Sequence, residues 1–141
     1  RKLRKDMDRM VAFRAALKTW ANWVDVNVNT KRTKVFFQGV SPSHYNGADW
    51  NMPGVTNCAK EMLPIDGLRY FGGIPPAEKV MEQVLSGVRK PVSLLNITRL
   101  SQLRKDAHVS SFNAFKGMDC THWCVSGVPD TWNQLLAAAL V

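Results

Sequence analysis

The stretch DCTHWC, residues 119–124, contains the residue types from which a general base is built. Asp119 and His122 lie three positions apart, and on a turn or short helix this spacing brings both side chains to one side. A carboxylate that accepts a hydrogen bond from one imidazole nitrogen leaves the other nitrogen free to deprotonate a hydroxyl. The pattern therefore predicts a carboxylate-oriented base. The alternative is that Asp119 caps a turn beside a packed histidine.

A nucleophile that this base could activate is not evident in the chain. The sequence contains no G-x-S-x-G elbow and no Gly-Asp-Ser block around any of its serines. The sequence also begins in a charged segment without an initiator Met. We therefore expect the chain to be a piece of a longer protein whose nucleophile lies upstream, and we expect the piece alone to be inactive.

The chain contains three cysteines. Cys120 and Cys124 lie within the stretch 119–124, and Cys58 lies in a distant loop that could contact it. Zinc is one alternative, with Cys120, His122, Cys124 and Cys58 as ligands, but the spacing does not match a C-x-x-C knuckle. We therefore predict no metal site. Disulfides that staple the loop of His122 to the scaffold are favoured, and an odd count indicates a partner thiol outside the chain.

Other residues are candidates for substrate contact. His44, Arg104 and Trp123 are the three that we predict, and each has a structural alternative. His44 lacks a nearby acid and could pack in a turn, Arg104 could pair with Asp106, and Trp123 could pack as most tryptophans do. Asp106 could instead pair with His108, which follows two residues later.

Composition restricts the partners. The 141 residues carry a net charge of +8, from 19 Lys and Arg against 11 Asp and Glu. Such a balance favours polyanions such as an acidic polysaccharide, although no motif for nucleic-acid binding accompanies it, and we predict no nucleic-acid partner. The sequon Asn96-Ile97-Thr98 indicates a secretory route with glycosylation at Asn96. The basic runs are RKLRK (1–5), KRTK (31–34), RK (89–90) and RK (104–105).

Hydrophobic periodicity and turn residues predict the elements that position these groups. The predicted strand at 33–41, helix at 76–89 and strand at 91–98 form a βαβ unit, most simply with parallel strands and a right-handed crossover. The loops that leave its strands would then gather at the sheet edge where α/β proteins place their chemistry. The predicted order is a helix at 8–28, a strand at 33–41, an irregular segment at 42–75, a helix at 76–89, a strand at 91–98, an irregular segment at 99–129 and a helix at 131–141 capped by Asp130.

Three long motifs resemble the C-terminal half of plant trichome birefringence-like proteins. These motifs are KVFFQGVSPSHYNGADW, LLNITRLSQLRKDAHVSSF and GMDCTHWCVSGVPDTWNQLL, and the first helix is similar too. Those proteins are polysaccharide O-acetyltransferases of the PC-esterase group, related to SGNH/GDSL hydrolases. The resemblance implies that residues 1–141 are part of a three-layer α/β/α sandwich of SGNH-hydrolase type, here incomplete, with a βαβ unit and long loops.

The resemblance also implies a function. Asp119 and His122 fall on the family's D-x-x-H, so His122 would be the general base and Asp119 its orienter, with the nucleophilic serine in the missing N-terminal half. The enzyme would transfer acetyl groups to a cell-wall polysaccharide, most often xylan, from a donor for which acetyl-CoA is one candidate, without a cofactor. It would act in the Golgi lumen, anchored by an N-terminal membrane segment. A Cys58–Cys120 bridge is implied, with Cys124 bonded to an upstream cysteine.

Two other functions remain compatible with these residues. Water in place of the sugar acceptor would make the protein a polysaccharide acetylesterase. A carbohydrate-binding module without catalysis would use the tryptophan and basic faces instead.

Overall fold

The computed structural model describes residues 6–67, 69–114 and 116–141, and the basic run at 1–5 lies outside the described residues. Over these described residues the fold is mixed α/β, with two sheets of two strands each. The chain divides into two compact units. The first comprises the described residues through Gly39 with Ile74–Leu94, and the second comprises Val40–Gly73 with Leu95–Val141.

The first unit is built on two helices packed against each other, α1 (Arg9–Asn27) and α2 (Pro76–Leu85), with the pair of strands β1 (Phe36–Gln38) and β2 (Ser93–Leu95). Asp8 starts α1 because its carboxylate accepts from the first free backbone N–H groups of the helix. Pro76 suits the first position of α2, where no N–H is needed. The buried core of this unit is Leu17, Ala21, Met81 and Val84.

The second unit contains the residues that the sequence predicts for catalysis and substrate contact. It contains a 3₁₀ helix at Gly47–Trp50, the short helix α3 (Thr98–Gln102), the antiparallel strands β3 (His108–Ser110) and β4 (Asp119–Trp123), and the final helix α4 (Val128–Leu140). The 3₁₀ helix starts at glycine because a Cβ at position 47 would lie 2.2 Å from the carbonyl oxygen of Met52. Ile97, Thr98 and Cys120 are fully buried in this unit.

The helices α1 and α2 and the strands β1 and β2 lie within their predicted ranges, whereas the 3₁₀ helix lies in the segment predicted as irregular at 42–75 and the segment at 99–129 also differs from its prediction. That segment is not irregular throughout, since it contains most of α3 and all of β3 and β4. The final helix begins earlier than predicted, and Asp130 is not its N-cap. Gly127 holds that position, and the Asp130 carboxylate accepts a hydrogen bond from the Gly127 N–H at 2.7 Å. The parallel direction and right-handed crossover of the βαβ unit stay predictions.

None of the helices in the described parts of the chain is long and apolar enough to cross a membrane.

Candidate functional site

An irregularity in the β3–β4 pairing brings Asp119 and His122 together. His108 pairs with Trp123 and Ser110 pairs with Asp119, so β3 advances two residues while β4 advances four. The surplus residues of β4 bend the strand as a bulge does. On a regular strand, residues three apart would face opposite sides of the sheet. The bend is therefore what allows the two side chains to meet.

The Asp119 carboxylate binds both the backbone and the ring of the histidine. Its Oδ1 accepts hydrogen bonds from the backbone N–H groups of Thr121 at 2.9 Å and His122 at 3.0 Å. Its Oδ2 lies 2.8 Å from His122 Nδ1. Because a carboxylate can only accept, His122 Nδ1 carries the hydrogen and Nε2 presents a lone pair. Asp119 thus caps a turn and also orients the imidazole, whereas His122 is exposed and is not the packed histidine of the alternative interpretation.

Electrostatics keep this carboxylate ionised. The backbone hydrogen bonds from His122 and Thr121, together with the bond from the His122 ring, lower the pKa of Asp119 to about 2. Asp119 is therefore an anion at any pH at which a neutral imidazole could act as a base. The His122 side chain is 80% exposed, so Nε2 is accessible to a reacting hydroxyl.

A shallow depression of about 340 Å³ adjoins the pair. It is open to solvent, and its polar lining residues other than Asp119 and His122 are Tyr45, Asn113, Lys116 and Thr121. The site is thus accessible from solvent, with one lysine among its lining residues. None of the three side chains predicted for substrate contact is among the residues that line it.

The disulfide implied by the resemblance is present in the structure. Cys58 and Cys120 are bonded, with 5.7 Å between their Cα atoms, and both are buried. This bond ties the loop around residue 58 to β4, one residue after Asp119. It also occupies two of the four side chains that the zinc alternative requires. Among the described residues, no group of three or more His, Cys, Asp or Glu side chains is arranged to hold a metal ion.

His44 lies in the interior and not on the substrate surface. It is fully buried, and its ring nitrogens contact His108 Nε2 at 2.7 Å and the Gln102 carbonyl oxygen at 2.9 Å. It has no surface from which to touch a substrate, because the 40–46 segment packs beside β4 and donates its His44 N–H to the Cys120 carbonyl. The substrate contact that we predicted for His44 is therefore not supported by its position.

Arg104 and Trp123 likewise have partners within the protein. Arg104 forms two hydrogen bonds of 3.0 Å with Asp106, and this pairing raises the pKa of the guanidinium. Trp123 is half-buried, stacks on the His108 ring with 4.1 Å between centroids, and donates from Nε1 to Ser41 Oγ at 2.7 Å. Both could contact a substrate only through the part of the side chain that remains exposed.

Cys124 and Asn96 are at the surface. Cys124 is exposed and carries a free thiol within the described part of the chain, so its bond to an upstream cysteine stays a prediction. Asn96 is exposed at the start of the segment that leads into α3, a position accessible to a glycosylating enzyme. Glycosylation there also stays a prediction.

Sequence reasoning missed the contacts that Tyr45 and His108 make with β4, although it had considered His108 as a partner of Asp106. Tyr45 donates its hydroxyl to the Met118 carbonyl at 3.1 Å and accepts from the Cys120 N–H at 3.0 Å, which holds β4 from the outside. His108 reaches the His122 carbonyl oxygen with Nδ1 at 2.9 Å. Neither contact leaves a local signal, because the partners are 73, 75 and 14 residues apart in sequence.

Three known proteins are similar to this chain over almost its whole length. Protein trichome birefringence-like 38 of Arabidopsis thaliana is 57% identical over 136 residues, which cover 96% of this chain and 36% of that protein. Protein trichome birefringence-like 41 of the same plant is 52% identical, over 94% of this chain and 38% of its own length. Probable xylan O-acetyltransferase 8 of Oryza sativa subsp. japonica is 44% identical, over 96% and 34%. The chain thus spans little more than a third of these relatives.

A family model matches almost the whole chain, from residue 1 to residue 139. Its members are described as a GDSL/SGNH-like acyl-esterase family found in Pmr5 and Cas1p. With this match and relatives up to 57% identical, the chain belongs to the PC-esterase family.

Proposed function

We propose that the protein containing this chain transfers acetyl groups to a polysaccharide hydroxyl, with His122 as general base. The observation that carries this proposal is the carboxylate of Asp119, which is held by two backbone N–H groups and bound to His122 Nδ1. That arrangement fixes one tautomer and leaves an exposed Nε2 to accept a proton.

The proposed reaction has two halves. A serine outside this chain loses its hydroxyl proton to His122 Nε2 and attacks the carbonyl carbon of the acetyl donor. The donor's leaving group departs with that proton, and an acetyl-serine remains. A polysaccharide hydroxyl then gives its proton to Nε2 and attacks the acetyl-serine, and the serine oxygen recovers the proton as it leaves. Asp119 stabilises the imidazolium in both halves.

Xylan is the acceptor that we propose, because the rice relative is named as a probable xylan O-acetyltransferase. The net charge of +8 suits an acidic polymer such as a glucuronoxylan. The open depression with Lys116 beside the catalytic pair suits an extended chain. We further propose the Golgi lumen as the location, with a membrane anchor elsewhere in the protein. We also propose that the rest of the protein completes a three-layer α/β/α sandwich with this chain.

The family description favours one other reaction. An acyl-esterase would use the same residues with water as the acceptor. The 80% exposure of the His122 side chain admits water as readily as sugar. The products distinguish the two, because a transferase yields acetylated oligosaccharide and an esterase yields free acetate whether or not an acceptor is present.

The test is acetyl transfer by the full-length protein and its Asp119→Asn variant. Asparagine can still accept the Thr121 and His122 N–H bonds, so the turn should persist. Its amide nitrogen would, however, donate toward Nδ1 and impose the wrong tautomer. We expect kcat to fall by about 10⁴-fold, as when the corresponding group of a catalytic triad is changed in this way.

The control is Asp106→Asn, since Asp106 is a nearby carboxylate that contacts Arg104 and not His122. This variant should retain activity within a few fold. A His122→Ala variant that keeps near-native turnover would refute the catalytic role of the imidazole, whereas a full-length native protein without any turnover would favour the binding-module alternative.

A further inference from the structure

His44 and His108 form a buried pair whose hydrogen bonds require a definite number of protons. Both side chains are almost completely buried, at 0% and 6% exposure. Their rings form a chain of three contacts. Gln102 O lies 2.9 Å from His44 Nε2, His44 Nδ1 lies 2.7 Å from His108 Nε2, and His108 Nδ1 lies 2.9 Å from His122 O.

The two ends of this chain are carbonyl oxygens, which only accept. His44 Nε2 and His108 Nδ1 must therefore both carry hydrogens. Two neutral imidazoles have one hydrogen each, so these two bonds would use both. The central contact would then bring two lone pairs together at 2.7 Å, a distance typical of a strong N–H···N bond. A third hydrogen completes all three bonds and gives the pair one positive charge.

We propose that His44 and His108 are a dyad that takes up a single shared proton and positions the catalytic base His122 through its backbone carbonyl. The inference rests on the proposed role of His122. The dyad does not touch the reacting atoms, so both residues are positioning residues. In its charged form, His108 Nδ1 donates to the His122 carbonyl, His44 Nε2 donates to the Gln102 carbonyl, and the N–H···N bond between the two rings also forms. Its neutral form must give up one of the three bonds.

The groups around the dyad define when it is charged. Burial lowers the pKa of His44 to about 4 and also lowers the pKa of His108. Lys105 opposes the charge on His44, whereas Asp49 favours it, and Asp119 and Asp106 favour the charge on His108. The aromatic rings that contact His44 are Trp50, Tyr70 and Trp123.

Stacking on Trp123 also favours the charged form of His108. The Trp123 ring lies 4.1 Å from the His108 centroid at an interplanar angle of 28°, a contact that stabilises a charged ring more than a neutral one. Burial and the acids thus act in opposite directions, and the shared proton is bound on acidification and lost as the pH rises. The hydrogen bond from His108 to the His122 carbonyl should therefore form fully at pH values below the titration midpoint of the dyad.

The direct test is ¹⁵N NMR of the histidine rings of the full-length protein, titrated from neutral pH downward. We expect the His44 and His108 rings to respond together, with one midpoint and an uptake of one proton for the pair. Two separate midpoints, or two rings that stay neutral until the protein unfolds, would overturn the dyad. This readout does not depend on activity.

Two variants connect the dyad to catalysis. His44→Asn presents an amide N–H to His108 Nε2, which allows a neutral His108 to hold the His122 carbonyl at every pH. We expect the pH profile of its kcat to lack the ionisation of the dyad, which the profile of the native protein should contain. His108→Leu removes the bond to His122 and should lower kcat by roughly 10- to 100-fold with KM unchanged, the range for partners that orient active groups.

The control is Thr98→Val, which removes a buried hydrogen bond to the Val40 carbonyl in the same unit. It should lower stability without altering the pH profile. If Thr98→Val changes the profile as His44→Asn does, or if His44→Asn leaves it native, the dyad inference fails. If instead His122→Ala remains active, the proposed function fails while the NMR titration still decides the state of the dyad.

Discussion

Removal of the Cys58–Cys120 disulfide should destabilise the chain substantially. The two cysteines are separated by 62 residues in sequence. Closing a loop of that length in the unfolded chain corresponds to about 4 kcal/mol at room temperature, and native disulfides typically contribute about 2–5 kcal/mol. In the loop-closure account, the bond stabilises the second unit mainly because it restricts the unfolded chain.

The experiment is urea denaturation of the oxidised 141-residue chain, followed by tryptophan fluorescence. The perturbation is the double variant Cys58→Ala with Cys120→Ala. With a urea dependence of about 2 kcal/mol per molar, the loss should lower the unfolding midpoint by about 2 M. The matched control is Cys124→Ala, because this thiol is exposed and unbonded in the described chain. It should change the free energy of unfolding by less than about 0.5 kcal/mol.

A difference below about 1 kcal/mol between the native chain and the double variant would refute the loop-closure reasoning. It would mean that the loop around residue 58 stays against β4 in the unfolded chain without the covalent bond. A destabilisation of similar size in Cys124→Ala would refute the assignment of the bonded pair.

Two further predictions concern packing and substrate contact. Met81→Ala should lower the free energy of unfolding by about 2–5 kcal/mol because Met81 is fully buried, whereas Met62→Ala, at 82% exposure, should change it by less than about 0.5 kcal/mol; urea denaturation measures both. Equal effects would contradict the assignment of the core. Arg104→Ala should cost at most about 1 kcal/mol and leave KM for the polysaccharide unchanged, because the guanidinium is paired with Asp106. A large rise in KM with native stability would restore Arg104 as a substrate ligand.

The sequence predicted the elements whose signals are local. α1 follows from apolar spacing, and α2 follows from apolar spacing and from Pro76, which favours a helix start, so both helices lie within a few residues of the predicted ranges. The strands β3 and β4 left no such signal. β3 has three residues, HVS, in a polar segment, and only its pairing with β4 makes it a strand.

In the candidate site too, the sequence predicted contacts between neighbouring residues and did not predict contacts between distant ones. The spacing of Asp119 and His122 predicted their contact for a turn or short helix, and in the structure the bend in β4 allows the same contact on a strand. The His44–His108 contact joins residues 64 apart, and hydrogen bonds of that kind depend on the tertiary fold. Arg104 shows the reverse, because Asp106 lies only two residues away and satisfies it locally.

The position of the proposed base is determined by contacts at almost every residue of β4. Asp119 folds over the backbone N–H groups of residues 121 and 122, and Cys120 is bonded to Cys58 and accepts the His44 N–H at its carbonyl. The His122 carbonyl contacts His108, and the Trp123 ring reaches Ser41. An imidazole on an exposed, bent strand would otherwise sample many orientations, and a base must lie within a fraction of an ångström of its productive position. The His122 side chain is 80% exposed, yet the strand that carries it is held by many contacts. A general base requires such contacts, whereas a surface histidine without a role would not.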